Sequence, residues 1–317
     1  MNHHPSAIDT MPLPDAPVYI GGPARSGKTY IRLMLAAHPD WCFSKRANLW
    51  TRVFDRFGDL ADDDNLDRCL AALAGNRHAR ALEPDTGALR REFRGGPPAY
   101  ARLFALLHRR YAARLGKRCW GDQTEGVEHA AEAIFDAFPN ARLIHMIRDP
   151  RDYYEALAAR DGRRPGRLGE ATESWRRSAA AAARNERRHP DRYRVLRYET
   201  LVWEPEQTLN ALAAWLGIEP TADMLALGHA HRFSSRDGDD DSSPLSTAFV
   251  GRFRANLPAH EIAYIQERLG PLMAAYGYAP EPVRLGVGGR LRCDVVAPVA
   301  AAAVRLAVDI GRVARHS

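Results

Sequence analysis

Cysteine is scarce in this sequence, and the metal-binding patterns that contain cysteine are missing. The chain has four cysteines in 317 residues, with no CxxC pair and no Cys/His spacing of the kind that binds zinc. They are Cys42, Cys69, Cys119 and Cys293. Structural zinc sites need closely spaced ligands, and disulfide scaffolds need a higher density of cysteine. We therefore expect no structural zinc, no disulfide framework and no other bound metal.

Long apolar runs and strong charge are also missing. No apolar run approaches the roughly 18 residues of a transmembrane helix, and residues 1–16 lack the basic and apolar regions of a signal peptide. We therefore expect a cytoplasmic protein. The formal net charge is +6, and residues 284–317 contribute most of it. Because the body has no dense basic stripe interleaved with aromatic residues, we do not expect nucleic acid as a partner.

The hydrophobic pattern predicts short strands that alternate with helices. Strands are predicted at 18–20, 142–147 and 193–198, with a weaker candidate at 118–120. The clearest predicted helices cover 29–37, 97–115, 127–138, 152–159, 170–188, 205–216 and 259–275. This alternation predicts an α/β fold, a P-loop-type parallel sheet with helices on both faces. In such sheets ligands bind at the carboxyl ends of the strands.

The sequence also predicts where the domain begins and ends. We expect a disordered leader at 1–16, one domain at 17–283 and a basic C-terminal tail at 284–317. Within the domain, the polar and acidic residues 232–247 are predicted to form a mobile loop. The tail contains a weakly amphipathic stretch, 295–313, interrupted by Pro298. We favour a helix packed on the domain or a frayed end over contact with an anionic membrane, which stays open.

The strongest motif follows the first predicted strand. Residues 22–29 read G-P-A-R-S-G-K-T, which fits GxxxxGK[ST]. Glycines let backbone N–H groups turn toward an anion, the lysine adds a point charge, and the N-terminus of a helix follows. The motif lies between a strand and a helix, as a phosphate-binding loop requires. The sequence therefore predicts that this loop holds the phosphates of a nucleotide.

The phosphate loop alone leaves three functions open. A magnesium-dependent kinase or ATPase would have an acidic residue at the end of a second strand. Here Arg148 follows the strand at 142–147, and an arginine binds anions rather than metals, although Asp149 could still bind one. A transferase that uses another anionic nucleotide is the second possibility, and a non-catalytic nucleotide-binding protein is the third.

Four short segments resemble the sulfotransferases that use 3′-phosphoadenosine 5′-phosphosulfate (PAPS), most closely their bacterial and tyrosylprotein branch. They lie in the family's order between residues 18 and 278. The segments are 21–29 with Arg32 and 35–40, W-G-D-Q-T at 120–124, 138–144 through R-D-P-R-D at 148–152, and R-Y-E-T-L at 197–201 with 205–206 and 216–217. The resemblance implies a PAPS-dependent sulfotransferase with a sulfotransferase-like domain over 17–283.

The resemblance also implies roles for individual residues. The 5′-phosphosulfate loop would consist of Arg25, Ser26, Gly27, Lys28 and Thr29. Arg148 would bind the 3′-phosphate, Tyr198 would contact the nucleoside, and Arg252 lies in a segment that closes over the cofactor. The family's serine eight residues after Arg148 is Ala156 here, and Arg160 is the residue that would compensate.

This sequence departs from the family's pattern at three further places. Lys28 replaces a loop threonine, and Gln123 replaces a lysine of the second segment. The closest branch carries its catalytic glutamate near the positions occupied here by Lys45 and Arg46. That base therefore cannot be assigned from the resemblance.

The chemistry of sulfuryl transfer indicates which residues could act. A base must take the proton of the acceptor hydroxyl, and cations must stabilise charge on the bridging oxygen. Arg25 and Lys28 are the expected leaving-group cations. Glu125, Asp122 and His129 are the candidate bases; we favour Glu125, although a carboxylate there could simply complement a helix dipole. The acceptor is expected to carry a hydroxyl, and Lys45 with Arg46 is compatible with an acidic one.

Overall fold

A computed structural model describes residues 16–229 and 246–286 of the chain. The predicted leader (apart from residue 16), all but the last two residues of the predicted loop 232–247, Cys293 and the tail from residue 287 lie outside the described residues. The described chain forms two compact units. The first contains residues 16–22, 27–146 and 184–229, and the second contains 23–26, 147–183 and 246–286.

The first unit is built on a five-stranded parallel sheet in the order β2-β3-β1-β4-β5. The strands are β1 (Val18–Gly21), β2 (Trp41–Lys45), β3 (Cys119–Gln123), β4 (Arg142–Ile147) and β5 (Tyr193–Arg197). Every residue of β1 is buried, because this strand lies at the centre with β3 on one side and β4 on the other. Its short apolar sequence is typical of a strand covered on both faces.

Helices flank the sheet in the first unit, which confirms the predicted α/β class. The helices that precede β4 are α1 (Lys28–Ala36), α2 (Leu49–Arg52), α3 (Asp63–Gly75), α4 (Thr86–Arg94), α5 (Tyr100–Arg114) and α6 (Ala131–Ala137). Two short 3-10 helices lie at Ala79–Leu82 and Val127–Ala130.

The second unit is helical in its described part, and one of its helices continues into the first unit. Along the chain follow α7 (Pro150–Asp161), α8 (Arg167–Arg188), α9 (Tyr198–Trp203), α10 (Pro205–Leu216), α11 (Ala222–His229), the 3-10 helix Thr247–Phe249, α12 (Phe253–Asn256) and α13 (Ala259–Ala275). Helices α7, α12 and α13 belong to the second unit, as does α8 up to residue 183, whereas α9 to α11 belong to the first.

Local pattern predicted several elements correctly and missed one strand. The predicted bounds of β4, α10 and α13 agree with the structure. Strand β2 was not predicted, because its residues, W-C-F-S-K, have neither an alternating nor a fully apolar pattern. Its pairing with β3 defines it, with Phe43 opposite Gly121. Helix α8 begins at Arg167, three residues before its predicted start at residue 170.

Among the helices in the described part of the chain, none is both long enough and apolar enough to cross a membrane.

Replacing Gly121 with alanine tests how closely the strands pack. A Cβ at Gly121 would lie 2.2 Å from Cε1 of Phe43 and 2.5 Å from the carbonyl oxygen of Val18. Because backbone cannot move aside cheaply in the sheet interior, we expect Gly121→Ala to lower the free energy of unfolding by about 3 kcal/mol. Urea unfolding measures this.

Gly75 provides the matched control for Gly121, because a Cβ there would meet no atom within 4 Å. Gly75→Ala is expected to change stability by less than about 0.5 kcal/mol. Equal effects of the two substitutions would contradict the close packing of β2, β3 and β1.

Candidate nucleotide-binding site

The loop between β1 and α1 has an unusual backbone. Gly22, Arg25 and Gly27 have φ angles of 111°, 58° and 94°, all in the left-handed region. A non-glycine residue enters this region at a cost of about 1 kcal/mol, so its presence at Arg25 marks a turn that the surrounding structure enforces. Left-handed residues are common in the backbone turns that hold anions in other proteins. The loop therefore has the backbone that its sequence motif predicts.

Two of the loop's glycines are required by space as well as by conformation. A Cβ at Gly22 would lie 2.1 Å from the carbonyl oxygen of Met146, and one at Gly27 would lie 2.7 Å from Cδ2 of Tyr198. The buried ring of Tyr198 thus packs directly against the loop. Gly27 and Tyr198, both predicted from the sequence to contact PAPS, therefore lie together in the first unit.

Lys28 opens α1 but its side chain turns back into the loop. Its Nζ donates a hydrogen bond to the carbonyl oxygen of Gly22 at 2.7 Å, and the residue is 7% exposed. No side-chain cap hydrogen bond is made at the start of α1, where Gly27 is the N-cap. The first-turn N–H groups of this helix are therefore not satisfied by a capping side chain, as in helix N-termini that bind anions.

Ser26 also contributes to the shape of the loop. Its buried hydroxyl donates to the carbonyl oxygen of Pro23 at 2.8 Å. Thr29, the last residue of the motif, is half-buried in the first turn of α1. Ser26 therefore braces the turn, whereas Lys28 and Arg25 are the members that carry positive charge.

The sequence analysis missed a buried acid that contacts the loop. Glu128 lies in the 3-10 helix Val127–Ala130, and its Oε2 accepts the N–H of Gly22 at 3.2 Å. The bond joins residues 106 positions apart in the chain. No local pattern distinguishes Glu128 from the neighbouring acids, so only the three-dimensional contact identifies it.

In the second unit, Arg148 lies beside another residue of the phosphate loop. Its Nη1 donates to the carbonyl oxygen of Arg25 at 3.4 Å, and its Nη2 donates to that of Phe249 at 2.6 Å. The indole Nε1 of the fully buried Trp175 donates to the carbonyl oxygen of Arg148 at 2.9 Å. The structure therefore brings together Arg25 and Arg148, two of the predicted cofactor-binding cations.

Asp149 begins helix α7. Its Oδ1 accepts from the N–H of Arg151 at 2.9 Å, which makes it the N-cap. It also binds the Arg151 guanidinium through both oxygens, at 2.9 and 2.7 Å. This agrees with the helix-capping interpretation of the sequence.

Asp152 holds the segment that contains Arg252. Its carboxylate is fully buried and accepts the N–H groups of Gly251 at 2.6 Å and Phe253 at 2.9 Å. Nε of Arg252 lies 3.3 Å from Oε1 of Glu155, one turn further along α7. Arg252 is thereby tied to α7 from two sides.

Arg160 lies at the far end of the same helix from Arg148. Ten residues separate it from Pro150, where α7 begins, so about 15 Å of helix lies between them at 1.5 Å per residue. Its guanidinium is half-exposed and pairs with Asp161 at 2.6 and 3.0 Å. A role for Arg160 with the cofactor stays a prediction.

The three candidate bases have different surroundings. Asp122 is buried in β3, where Oδ1 accepts from the Ser44 hydroxyl at 2.5 Å and Oδ2 accepts from that of Thr124 at 2.6 Å. Both oxygens of Asp122 therefore already accept hydrogen bonds inside the sheet. Glu125 and His129, by contrast, are exposed just beyond the strand. Glu125 as the base stays a prediction, with Asp122 and His129 as the alternatives.

Gln123 replaces a lysine of the family pattern, and its buried side chain is hydrogen-bonded. Its Oε1 accepts from Nε of Arg32 at 2.9 Å, and Gln123 is 3% exposed. A positive charge is therefore still present at the end of β3, supplied by a different residue.

A parallel sheet with a phosphate loop after its central strand defines a P-loop-type nucleotide-binding fold. The sequence matches the Sulfotransferase family over residues 17–223, well over half of the 317 residues. The chain therefore belongs to the Sulfotransferase family.

Individual relatives agree with this family and fold. A protein-tyrosine sulfotransferase of Drosophila melanogaster is 23% identical over 279 residues, covering 83% of this chain and 52% of that protein. The chain thus spans about half the length of this curated relative.

Two solved structures share the fold. The sulfotransferase domain of the Synechococcus PCC 7002 olefin synthase is 22% identical with a TM-score of 0.59, covering 84% of this chain and 96% of its own. The sulfotransferase domain from the curacin biosynthetic pathway is 16% identical with a TM-score of 0.55, covering 84% and 99%.

Replacing Asp152 with asparagine is expected to change how stability depends on pH. Burial raises the pKa of Asp152 from 3.8 to about 6. Because the folded state binds this proton more tightly than the unfolded state, the stability it adds is complete below about pH 4 and is lost as the pH rises through 6. The advantage of wild type over Asp152→Asn in unfolding free energy should therefore shrink by about 3 kcal/mol from about pH 4 to pH 7.

Glu267→Gln is the matched control for Asp152, since Glu267 is an exposed carboxylate in the same unit. Its difference from wild type should stay nearly flat over the same pH range. Urea unfolding at several pH values measures both. A difference for Asp152→Asn that does not change with pH would contradict the assignment.

Proposed function

We propose that this protein transfers a sulfuryl group from PAPS to an acceptor hydroxyl. The observation that carries the proposal is the contact of Arg148 with the carbonyl oxygen of Arg25. This contact places a second cation beside residues 23–26 of the phosphate loop, which belong to the second unit. Metal-dependent nucleotide enzymes place an acid after the corresponding strand. An arginine there favours a nucleotide whose additional phosphate is bound without metal. Membership in the Sulfotransferase family supports the same function.

The residues of the loop fit an anionic donor. Arg25 and Gly27 have left-handed backbone conformations, the helix α1 begins directly after them, and Lys28 adds a buried ammonium group. We propose that Arg25, Ser26, Gly27, Lys28 and Thr29 bind the 5′-phosphosulfate. Arg148 would bind the 3′-phosphate, assisted by Arg252 and Arg160, and Tyr198 would contact the nucleoside.

In the mechanism, PAPS supplies an activated sulfuryl group. Glu125 would take the proton of the acceptor hydroxyl while the acceptor oxygen bonds to sulfur and the bond from sulfur to the bridging oxygen breaks. Lys28 and Arg25 would stabilise the negative charge on the bridging oxygen, and adenosine 3′,5′-bisphosphate would be the leaving group. Cations placed before the reaction stabilise such charge more than water does.

We further propose that the acceptor is acidic and carries a hydroxyl group. Lys45 and Arg46 follow one another at the end of β2, where Arg46 has a φ angle of 57° and its N–H donates to the carbonyl oxygen of Gln123 at 2.7 Å. This turn is built into the sheet edge, so it presents two adjacent cations at a defined position. A curated relative is a protein-tyrosine sulfotransferase, which supports a tyrosine hydroxyl as one acceptor to test. The cytoplasmic location and the membrane contact of the tail stay predictions.

A magnesium-dependent kinase or ATPase is the main rival, and Asp149 is the acid that it would need. Both carboxylate oxygens of Asp149 bind the guanidinium of Arg151. That arrangement suits a helix start and a bidentate ion pair rather than a metal ligand. In residues 16–229 and 246–286, no group of three or more His, Cys, Asp or Glu side chains is placed to hold a metal ion.

A binding experiment separates these functions. We expect adenosine 3′,5′-bisphosphate to bind in the presence of EDTA and to bind more tightly than AMP. Arg148→Ala should remove that preference, because a charge-assisted hydrogen bond contributes about 1.5–3 kcal/mol. Isothermal titration calorimetry measures both affinities, and Arg177→Ala, on the exposed face of α8, is the control. Tight binding of ATP only with magnesium would instead support the kinase.

Replacing Lys28 with alanine tests the leaving-group cation. Charge on the bridging oxygen grows toward the transition state, so the loss should fall mainly on kcat. We expect kcat to fall by about 10²–10³, with a smaller change in the affinity for adenosine 3′,5′-bisphosphate. Transfer of a labelled sulfuryl group from PAPS to a tyrosine-containing acidic peptide provides the measurement.

Lys28→Arg is the companion variant, since it keeps the charge in a different geometry. An unchanged kcat with a raised KM in Lys28→Ala would show that Lys28 only binds the donor. If the wild-type protein binds the nucleotide yet transfers nothing to any hydroxyl acceptor, a non-catalytic nucleotide-binding protein replaces the proposal.

A further inference from the structure

Two buried side chains of opposite charge hold the backbone of one glycine in the phosphate loop. We propose that Glu128 is a positioning residue that orients Lys28 through Gly22. The inference rests on the proposed function in one respect, namely that Lys28 is the leaving-group cation. It goes beyond that function because Glu128 belongs to none of the motifs that identify the loop.

The geometry links the two charges through both hydrogen-bonding groups of Gly22. Its N–H donates to Oε2 of Glu128 at 3.2 Å, and its carbonyl oxygen accepts from Nζ of Lys28 at 2.7 Å. Only the φ and ψ rotations of Gly22 separate the two bonds, and φ is 111°. Holding the N–H on Glu128 therefore limits the directions in which the carbonyl can point, and that direction bears on where the ammonium group lies.

The backbone leaves no other residue room for this arrangement. A Cβ at Gly21 would lie 2.8 Å from Cγ1 of Val127 and 3.1 Å from Oε2 of Glu128. At Gly22 the φ angle of 111° and the contact with Met146 exclude a side chain as well. The consecutive glycines thus allow the carboxylate to reach the chain.

Glu128 is itself held rigidly. Gly126, with a φ angle of 81°, begins the 3-10 helix that carries it. The carbonyl oxygen of Glu128 accepts from Nδ2 of the buried Asn185 at 2.7 Å. A carboxylate that is 2% exposed and anchored through its own backbone has little freedom to move. Such rigidity is what a positioning residue needs in order to orient a catalytic group.

Lys28 is a cation suited to balance the charge of Glu128. His145, on β4, and His129, on the same 3-10 helix, also act electrostatically at this place. Burial lowers the pKa of His145 to about 4, so that imidazole is neutral at pH 7. His129 is exposed to solvent, which weakens its interaction with a buried carboxylate. A buried carboxylate is stable only when it is paired, and the buried ammonium of Lys28 is a permanent positive charge bonded to the same glycine.

A double-mutant cycle tests whether Glu128 acts through Lys28. We expect Glu128→Gln to lower kcat about 10-fold and Glu128→Ala up to about 100-fold, as for a lost charge-assisted hydrogen bond. In the Lys28→Ala background the same changes should lower kcat less than about 2-fold, because residues that act as a unit are not additive. Additive losses in the two backgrounds would overturn the proposal.

Glu132→Gln is the matched control, since Glu132 is an exposed acid four residues further on that pairs with Arg188 and His189. It removes the same charge from the neighbouring helix and should leave kcat unchanged. Thermal unfolding of each variant establishes that the protein is folded. If Glu128→Ala does not fold, the cycle is run with Glu128→Gln, which keeps the side-chain length and an oxygen acceptor.

A measurement without turnover separates this inference from the proposed function. In labelled protein, Glu128→Gln should shift the amide resonance of Gly22 and the Cε resonance of Lys28, and Glu132→Gln should shift neither. If Glu128→Gln leaves both resonances unchanged, the link through Gly22 is wrong whatever the enzyme does. If both resonances shift but the wild-type protein transfers no sulfuryl group, the link stands and the proposed function fails.

Discussion

The burial of one ammonium group is the constraint on which the phosphate loop depends. Lys28 lies at the start of α1 with 7% of its surface exposed, and a charge in such a position needs partners from the protein. The Gly22 carbonyl supplies one, and the carboxylate of Glu128 supplies opposite charge through the same glycine. Left-handed turns and two spaces that only glycine fits accompany this arrangement.

The second unit meets a similar need with different residues. Arg148 is buried and donates to two backbone carbonyls, those of Arg25 and Phe249. Asp152, buried nearby on α7, accepts two backbone N–H groups of the segment around Arg252. The charged side chains of Arg148 and Asp152 thus both form hydrogen bonds with backbone groups distant in sequence. These contacts of Arg148 and Asp152 therefore hold Arg148 and the segment around Arg252, two of the proposed 3′-phosphate elements, against other parts of the second unit.

Family membership and the chemistry of the site are separate observations, and both support sulfuryl transfer. The match over residues 17–223 assigns the chain to the Sulfotransferase family. The departures at Lys28, Gln123 and Ala156 concern residues that the family would use directly, and here the structure offers replacements for two of them. Lys28 is integrated into the loop, and Arg32 brings positive charge to Gln123. Glu125, the proposed base for the acceptor hydroxyl, is exposed just beyond β3.

Local sequence determined the features that depend on near neighbours in the chain. The periodicity of α10 and α13 and the glycine-rich loop before Lys28 were predictable because their hydrogen bonds close within a few residues. Strand β4 was predictable because a short apolar run is typical of a fully buried strand. Tertiary structure alone decided the rest. Strand β2 exists through its pairing with β3, Glu128 reaches Gly22 across 106 positions, and Asp152 reaches Gly251 across 99. No local pattern encodes such contacts, since they form only when distant segments fold onto one another and must satisfy buried charge.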